Sequence, residues 1–146
     1  MYHSRYGKLE ETDFLKYQGN LYYKDWKGLG CNMSTTPYDD ADYVYLYNRS
    51  NLFSKTEKYY KEIIELAQNY EIPVMVVISP YIGMGYSDQC KFNTGADIAN
   101  KMNVPFINYN FWADEMDLNY SDDFADKNHL NYKGNQKYTH LLGEYI

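Results

Sequence analysis

The chain has 146 residues, and 20 acidic against 14 basic side chains give a formal net charge of −6. That length suits one domain, and setting the 19 tyrosines aside from a hydrophobic fraction of 45% still leaves roughly a third of the chain strictly apolar, which suits a modest core and excludes a disordered tail. With a mean hydropathy of −0.70, no run approaches the ~18 apolar residues of a membrane span, and the anionic balance disfavours binding to phosphate backbones.

In chain order, residues 1–50 read as irregular. Gly7, Gly19, Gly28 and Gly30 interrupt them, and Cys31 to Asp42 (CNMSTTPYDDAD) is turn-forming chemistry. The alternation in Asp42–Tyr47 (DYVYLY) predicts one short edge strand there. Residues 51–146 read as an α/β core. Ser54-Lys55-Thr56-Glu57 has the pattern of a capping box and predicts a helix N-terminus. Tyr60, Ile63, Ile64 and Ala67 recur behind it at helical spacing as one apolar stripe, with Glu57/Lys61 and Lys58/Glu62 paired on the exposed side. Pro73 stops that helix. Val74–Ile78 (VMVVI) is a continuous apolar run, the pattern of a strand covered on both faces. A second helix is expected over Asp88–Met102, with Phe92, Ala96, Ala99 and Met102 on one face and Asn103 breaking it. Val104–Asn108 reads as a second strand, and Tyr132–Tyr145 as a last helix with Tyr138, Leu141, Leu142 and Tyr145 at helical spacing.

Helix–strand–helix–strand–helix with connections this short implies an α/β layered sheet with right-handed crossovers. Two or three strands make a thin sheet beside the usual four to six. Either the first fifty residues contribute further strands, or the chain is part of a larger domain. An unpaired central strand invites association, so a homo-oligomer is expected.

One constellation could carry chemistry. In Asp123-Phe124-Ala125-Asp126-Lys127-Asn128-His129-Leu130-Asn131-Tyr132-Lys133-Gly134, Asp126 and His129 stand three apart, just before the last helix. In a turn, that spacing lets the carboxylate accept from His Nδ1–H, which fixes the tautomer and leaves Nε2 free as a base. Asp126 or Asn128 could equally cap the last helix, with His129 half-exposed beside it.

The block Asp126-x-x-His129-Leu130-Asn131-x-x-Gly134, followed by an amphipathic helix, resembles the last block of the SGNH (GDSL-like) hydrolases and acyltransferases. The preceding order agrees: a helix, a strand ending in Pro (VMVVISP), a helix and a short strand (PFINYN). The resemblance covers about residues 54–146. It implies a flavodoxin-like three-layer α/β/α fold with a short parallel sheet, with His129 as catalytic base and Asp126 as its orienting partner in a Ser-His-Asp triad. It is similar above all to the bacterial branch acting on cell-surface glycans. This implies an acylated glycan or other ester as substrate, an extracytoplasmic or membrane-associated setting for the parent protein, and no cofactor or metal. The family's serine block is missing. Ser4, Ser34, Ser50, Ser54, Ser79, Ser87 and Ser121 all lack a strand-to-Gly-turn context, and Pro80 after Ser79 supplies no N–H for an oxyanion hole. The chain is therefore expected to be the C-terminal half of such a domain, with its first strands upstream of Met1.

A function from another class stays open: a non-catalytic glycan-binding or surface-interaction module on the same fold. The 19 tyrosines and two tryptophans, with Tyr22-Tyr23-Lys24-Asp25-Trp26 as the densest cluster, offer faces on which sugars stack. Trp112, after the second strand, could line a cleft or close the sheet edge. The acidic stretch Asp114–Asp126 lacks the strict spacing of a calcium loop and reads as a solvated loop. His3 and His140 have no ligand-spaced partners, and His140 reads as a surface residue. Cys31 and Cys90, 59 positions apart, form no metal or redox motif; pairing and two buried free thiols both remain open.

Overall fold

The structure, a computed structural model, describes residues 32–39 and 43–144. Its elements run α1 (Ser54–Asn69), β1 (Val76–Ile78), α2 (Tyr86–Lys101), β2 (Phe106–Asn108), a single 3-10 turn at Tyr109–Phe111, β3 (Phe124–Asp126), β4 (His129–Leu130) and α3 (Tyr132–Gly143). The fold is mixed α/β. β1 and β2 pair in parallel, Val76 opposite Phe106 and Ile78 opposite Asn108, while β3 and β4 form a separate antiparallel pair.

Successive strand residues point to opposite faces, and both faces of the parallel pair are covered. Val76 and Phe106 pack with Ile64 of α1, Ala99 of α2 and Val104. Val77 and Ile107 pack on the other side with Tyr109, Met116 and Leu141 of α3. The continuous apolar run of β1 thus has its cause in helices on two sides.

Helix ends follow local chemistry. α2 ends in a Schellman arrangement: the Val104 N–H donates to Ala99 O, the Asn103 N–H donates to Asn100 O, and Asn103 takes a left-handed φ of 57°. α1 ends the same way, Ile72 N–H to Ala67 O and Glu71 N–H to Gln68 O, with Glu71 at φ 55°. The chain is therefore turned before Pro73 is reached, and α1 closes at Asn69.

Three expectations are corrected. Ser54 is not a cap, because it already lies within the helix: Phe53 is the N-cap of α1, and its phenyl ring has no polar atom with which to cap. Ile63 is not core. It is 65% exposed, since the helix seats Tyr60, Ile64 and Ala67 inward and turns Ile63 outward. Asp42 lies outside the described residues, and among the described residues 43–47 pair with no strand. Side chains of α2 take the backbone groups a ladder would use: Leu46 N–H donates to Gln89 Oε1, and Asn93 Nδ2 donates to Leu46 O and Asn48 O. The i,i+4 pairs Lys61–Glu57 and Lys58–Glu62 are present at 2.5 and 3.7 Å. Cys90 is buried with a free thiol, and Cys31 lies outside the described residues.

The start of α3 is the tightest junction. Asn131 is its N-cap, its Oδ1 accepting from Gly134 N–H at 3.1 Å, while Asn131 N–H donates to Asp123 O at 2.9 Å. A Cβ on Gly134 would lie 2.3 Å from Asp123 O, a backbone atom. Gly134→Ala is therefore expected to destabilise the fold by about 1–3 kcal/mol in urea melts. Gly143→Ala, whose Cβ would meet nothing within 4 Å, is the control and should be neutral or stabilising by up to ~1 kcal/mol.

Candidate functional site

The β3–β4 hairpin presents Asp126 and His129 at its tip. Its register shifts between Phe124 and Asp126, so that Asp126 stands opposite His129. Asn128 N–H donates to Asp126 Oδ1 at 2.8 Å, an Asx turn that fixes the carboxylate. His129 Nδ1 lies 2.8 Å from Asp126 Oδ1 and 2.9 Å from Oδ2. A carboxylate only accepts, so Nδ1 carries the hydrogen, and in the neutral ring Nε2 presents its lone pair. Among the described residues, Nε2 has no hydrogen-bond partner. The side chains are 71% and 53% exposed, and the Asp126 carboxyl is held below the usual carboxylate range, chiefly by the Asn128 N–H and then by the His129 ring.

The loop that follows β1 reaches this tip. Gly83 N–H donates to Lys127 O at 3.0 Å, and a Cβ on Gly83 would sit 3.0 Å from Asn128 Oδ1. The hairpin tip is thereby tied to the loop that leaves the carboxyl end of β1, the side on which α/β sheets place their ligands. Buried Asn110 braces the same edge: its Oδ1 accepts from Tyr81 N–H at 2.8 Å, and its Nδ2 donates to Asn108 Oδ1 at 2.8 Å.

Asp126 and Asn128 do not cap α3, because Asn131 holds that role, and His129 is open to solvent rather than half-buried. Among the described residues no serine or cysteine side chain hydrogen-bonds to the His129 ring. Ser79 is exposed just past β1 and is followed by buried Pro80. The chemistry available from the described residues is thus an oriented base with no nucleophile on it. Asp122 and Asp123 of the acidic stretch are taken by Lys133 at 2.6 Å and Lys137 at 2.8 Å. Among the described residues no three His, Cys, Asp or Glu side chains converge as a metal site. His140 is exposed on α3, 3.7 Å from Glu144. Trp112 is half-buried against the Tyr109 ring. The Tyr22–Trp26 cluster and His3 lie outside the described residues. A groove of about 450 Å³ between α1 and α2, lined in part by Arg49, Lys61, Asp97 and Lys101, includes nothing from the hairpin.

Two features escaped the sequence. The hairpin is too short and polar to read as strands, and the roles of Asn131 and Gly134 are signalled only by the Asn-x-x-Gly spacing ahead of a helix. Compared with protein-family models, curated proteins and solved structures, the chain matches none of them.

NMR titration should place the Asp126 midpoint below the ordinary ~3.9. His129→Ala should remove only part of that shift, because the Asn128 N–H remains. A carboxyl whose folded pKa is depressed contributes stability that is present above the unfolded value and lost as pH falls through the folded one. Deleting the carboxylate with Asp126→Asn should therefore flatten the melting curve's pH dependence below about pH 5.

Proposed function

We propose that this chain is the C-terminal part of an SGNH-type serine esterase or O-acyltransferase with a flavodoxin-like α/β/α domain, acting on acyl esters of bacterial cell-surface glycans. The observation that carries the proposal is the Asp126 carboxylate 2.8 Å from His129 Nδ1, with Nε2 free, on a hairpin tip bonded to the loop that follows β1. The glycan clause rests on the resemblance of the Asp-x-x-His-Leu-Asn-x-x-Gly block.

His129 Nε2 takes the proton of a serine hydroxyl supplied by polypeptide outside these 146 residues, as that oxygen attacks the ester carbonyl. Asp126 holds the ring and stabilises the imidazolium formed in that step. His129 then returns the proton to the departing alkoxide. Water, or an acceptor hydroxyl on a glycan, takes the acyl group from serine in a second round with the same proton transfers.

The test is hydrolysis of p-nitrophenyl acetate. The 146-residue chain should show no acylation burst above its His129→Ala control. The full-length gene product that contains it should turn over, with His129→Ala lowering kcat about 10³-fold or more and Asp126→Asn about 10²-fold or more. Wild-type turnover in both variants overturns the assignment.

A second reading, the non-catalytic glycan binder, is favoured by one surface. Tyr45 (51% exposed) and Tyr47 (79% exposed) stand edge-to-face at 5.0 Å, with Phe111 5.2 Å from Tyr45. Exposed rings of this kind suit stacking on sugar faces. On a glycan array, retention that Tyr47→Ala abolishes and His129→Ala leaves unchanged would select the binder over the enzyme.

A further inference from the structure

α1 carries more apolar surface than the described part of the chain covers. Tyr60, Ile64 and Ala67 face the core. Tyr59, Ile63, Leu66 and Tyr70 recur at i, i+4, i+7 and i+11, so they form a second stripe about a quarter-turn away. They are 50%, 65%, 58% and 71% exposed, and Ile72, which leads from α1 toward β1, is 57% exposed. Monomeric proteins rarely expose a contiguous apolar patch above a few hundred Å². At ordinary side-chain sizes these five residues leave on the order of 650 Å² of such surface open. β1 adds to the exposure, since among the described residues it has a strand partner on one side only.

We propose that a second copy of this chain covers this stripe, the two α1 helices packing antiparallel about a two-fold axis. Area is one reason: two such stripes bury roughly 1,300 Å², within the range of specific interfaces. Charge is the other. Glu57, Lys61 and Glu65 face the groove toward α2, but Lys55 and Lys58 stand over the Tyr59 ring at the N-terminal end of the stripe, whereas Glu62 follows in the C-terminal half and Glu71 just past its end. Antiparallel pairing sets each basic half on the partner's acidic half and opposes the two helix dipoles, whereas parallel pairing repels at both ends. With the axis between Ile64 and Glu65, Ile63 of one copy meets Leu66 of the other, Tyr59 meets Tyr70, and Lys58 meets Glu71. The proposal is independent of any chemistry at His129.

Sedimentation equilibrium on the 146-residue chain over 1–100 µM tests it. The expected result is a monomer–dimer equilibrium that Ile63→Lys and Leu66→Lys each shift toward monomer by at least tenfold in Kd, with unchanged far-ultraviolet dichroism because both sites are exposed. Lys58→Glu should weaken the dimer several-fold, and adding Glu71→Lys to it should restore the dimer. A monomer throughout that range, or a dimer that the Ile63 and Leu66 variants leave intact, overturns the proposal. So does failure of the charge swap to restore what Lys58→Glu removes.

Discussion

Asn131 is the residue on which the described fold depends most. Its Oδ1 caps α3 at Gly134 N–H, its Nδ2 donates to Asp122 O at 2.6 Å and Thr35 Oγ1 at 3.3 Å, and its own N–H donates to Asp123 O. It is 2% exposed, so each of these groups would be an unsatisfied buried polar atom without its partner, at about 1–3 kcal/mol apiece. One amide thus joins the 32–39 segment, the acidic loop, the hairpin and α3. Gly134 completes the junction by lacking the Cβ that would strike the Asp123 carbonyl. Asp123, 1% exposed, is neutralised by Lys137 of the same helix and accepts from Asn119 N–H at 2.6 Å. Losing Lys137 would leave the buried Asp123 carboxylate without its counter-charge, at about 3–5 kcal/mol.

That junction explains why an exposed pair can be ordered. Asp126 and His129 have little packing of their own, at 53% and 71% side-chain exposure. Their neighbours on each side are held instead: Phe124 and Ala125 are buried at 0% and 6%, and Leu130 at 7%. The hairpin is anchored at its base while its tip stays in water, where a base needs to be to meet a substrate. The Gly83–Lys127 hydrogen bond adds a link to the loop after β1. The tip is therefore held by that loop as well as by its own turn.

Some of this architecture is legible in the sequence because it is local. Helix periodicity over about fifteen residues identifies α1, α2 and α3, and the run VMVVI identifies a strand covered on both faces. Asn103 marks the end of α2, since Asn tolerates the left-handed φ that the closing turn requires. The Asp126–His129 contact is local too, three residues apart in one turn. Signals of the same kind fail where tertiary partners compete: DYVYLY has strand composition, but α2 side chains take its backbone groups.

By itself, the sequence determined what short-range forces decide: three helices, two apolar strands, and a carboxylate within reach of an imidazole. Tertiary structure alone decided which apolar face each helix buries, since Ile63 and Ile64 are equal in hydrophobicity and only the placement of α1 on β1 separates them. It also decided that His129 sits on a hairpin bonded to the loop after β1, and that Asn131, rather than Asp126 or Asn128, caps α3. Those outcomes depend on contacts such as Asn131 with Thr35, 96 positions away, and a geometry set by partners so distant leaves no periodicity in the residues that adopt it.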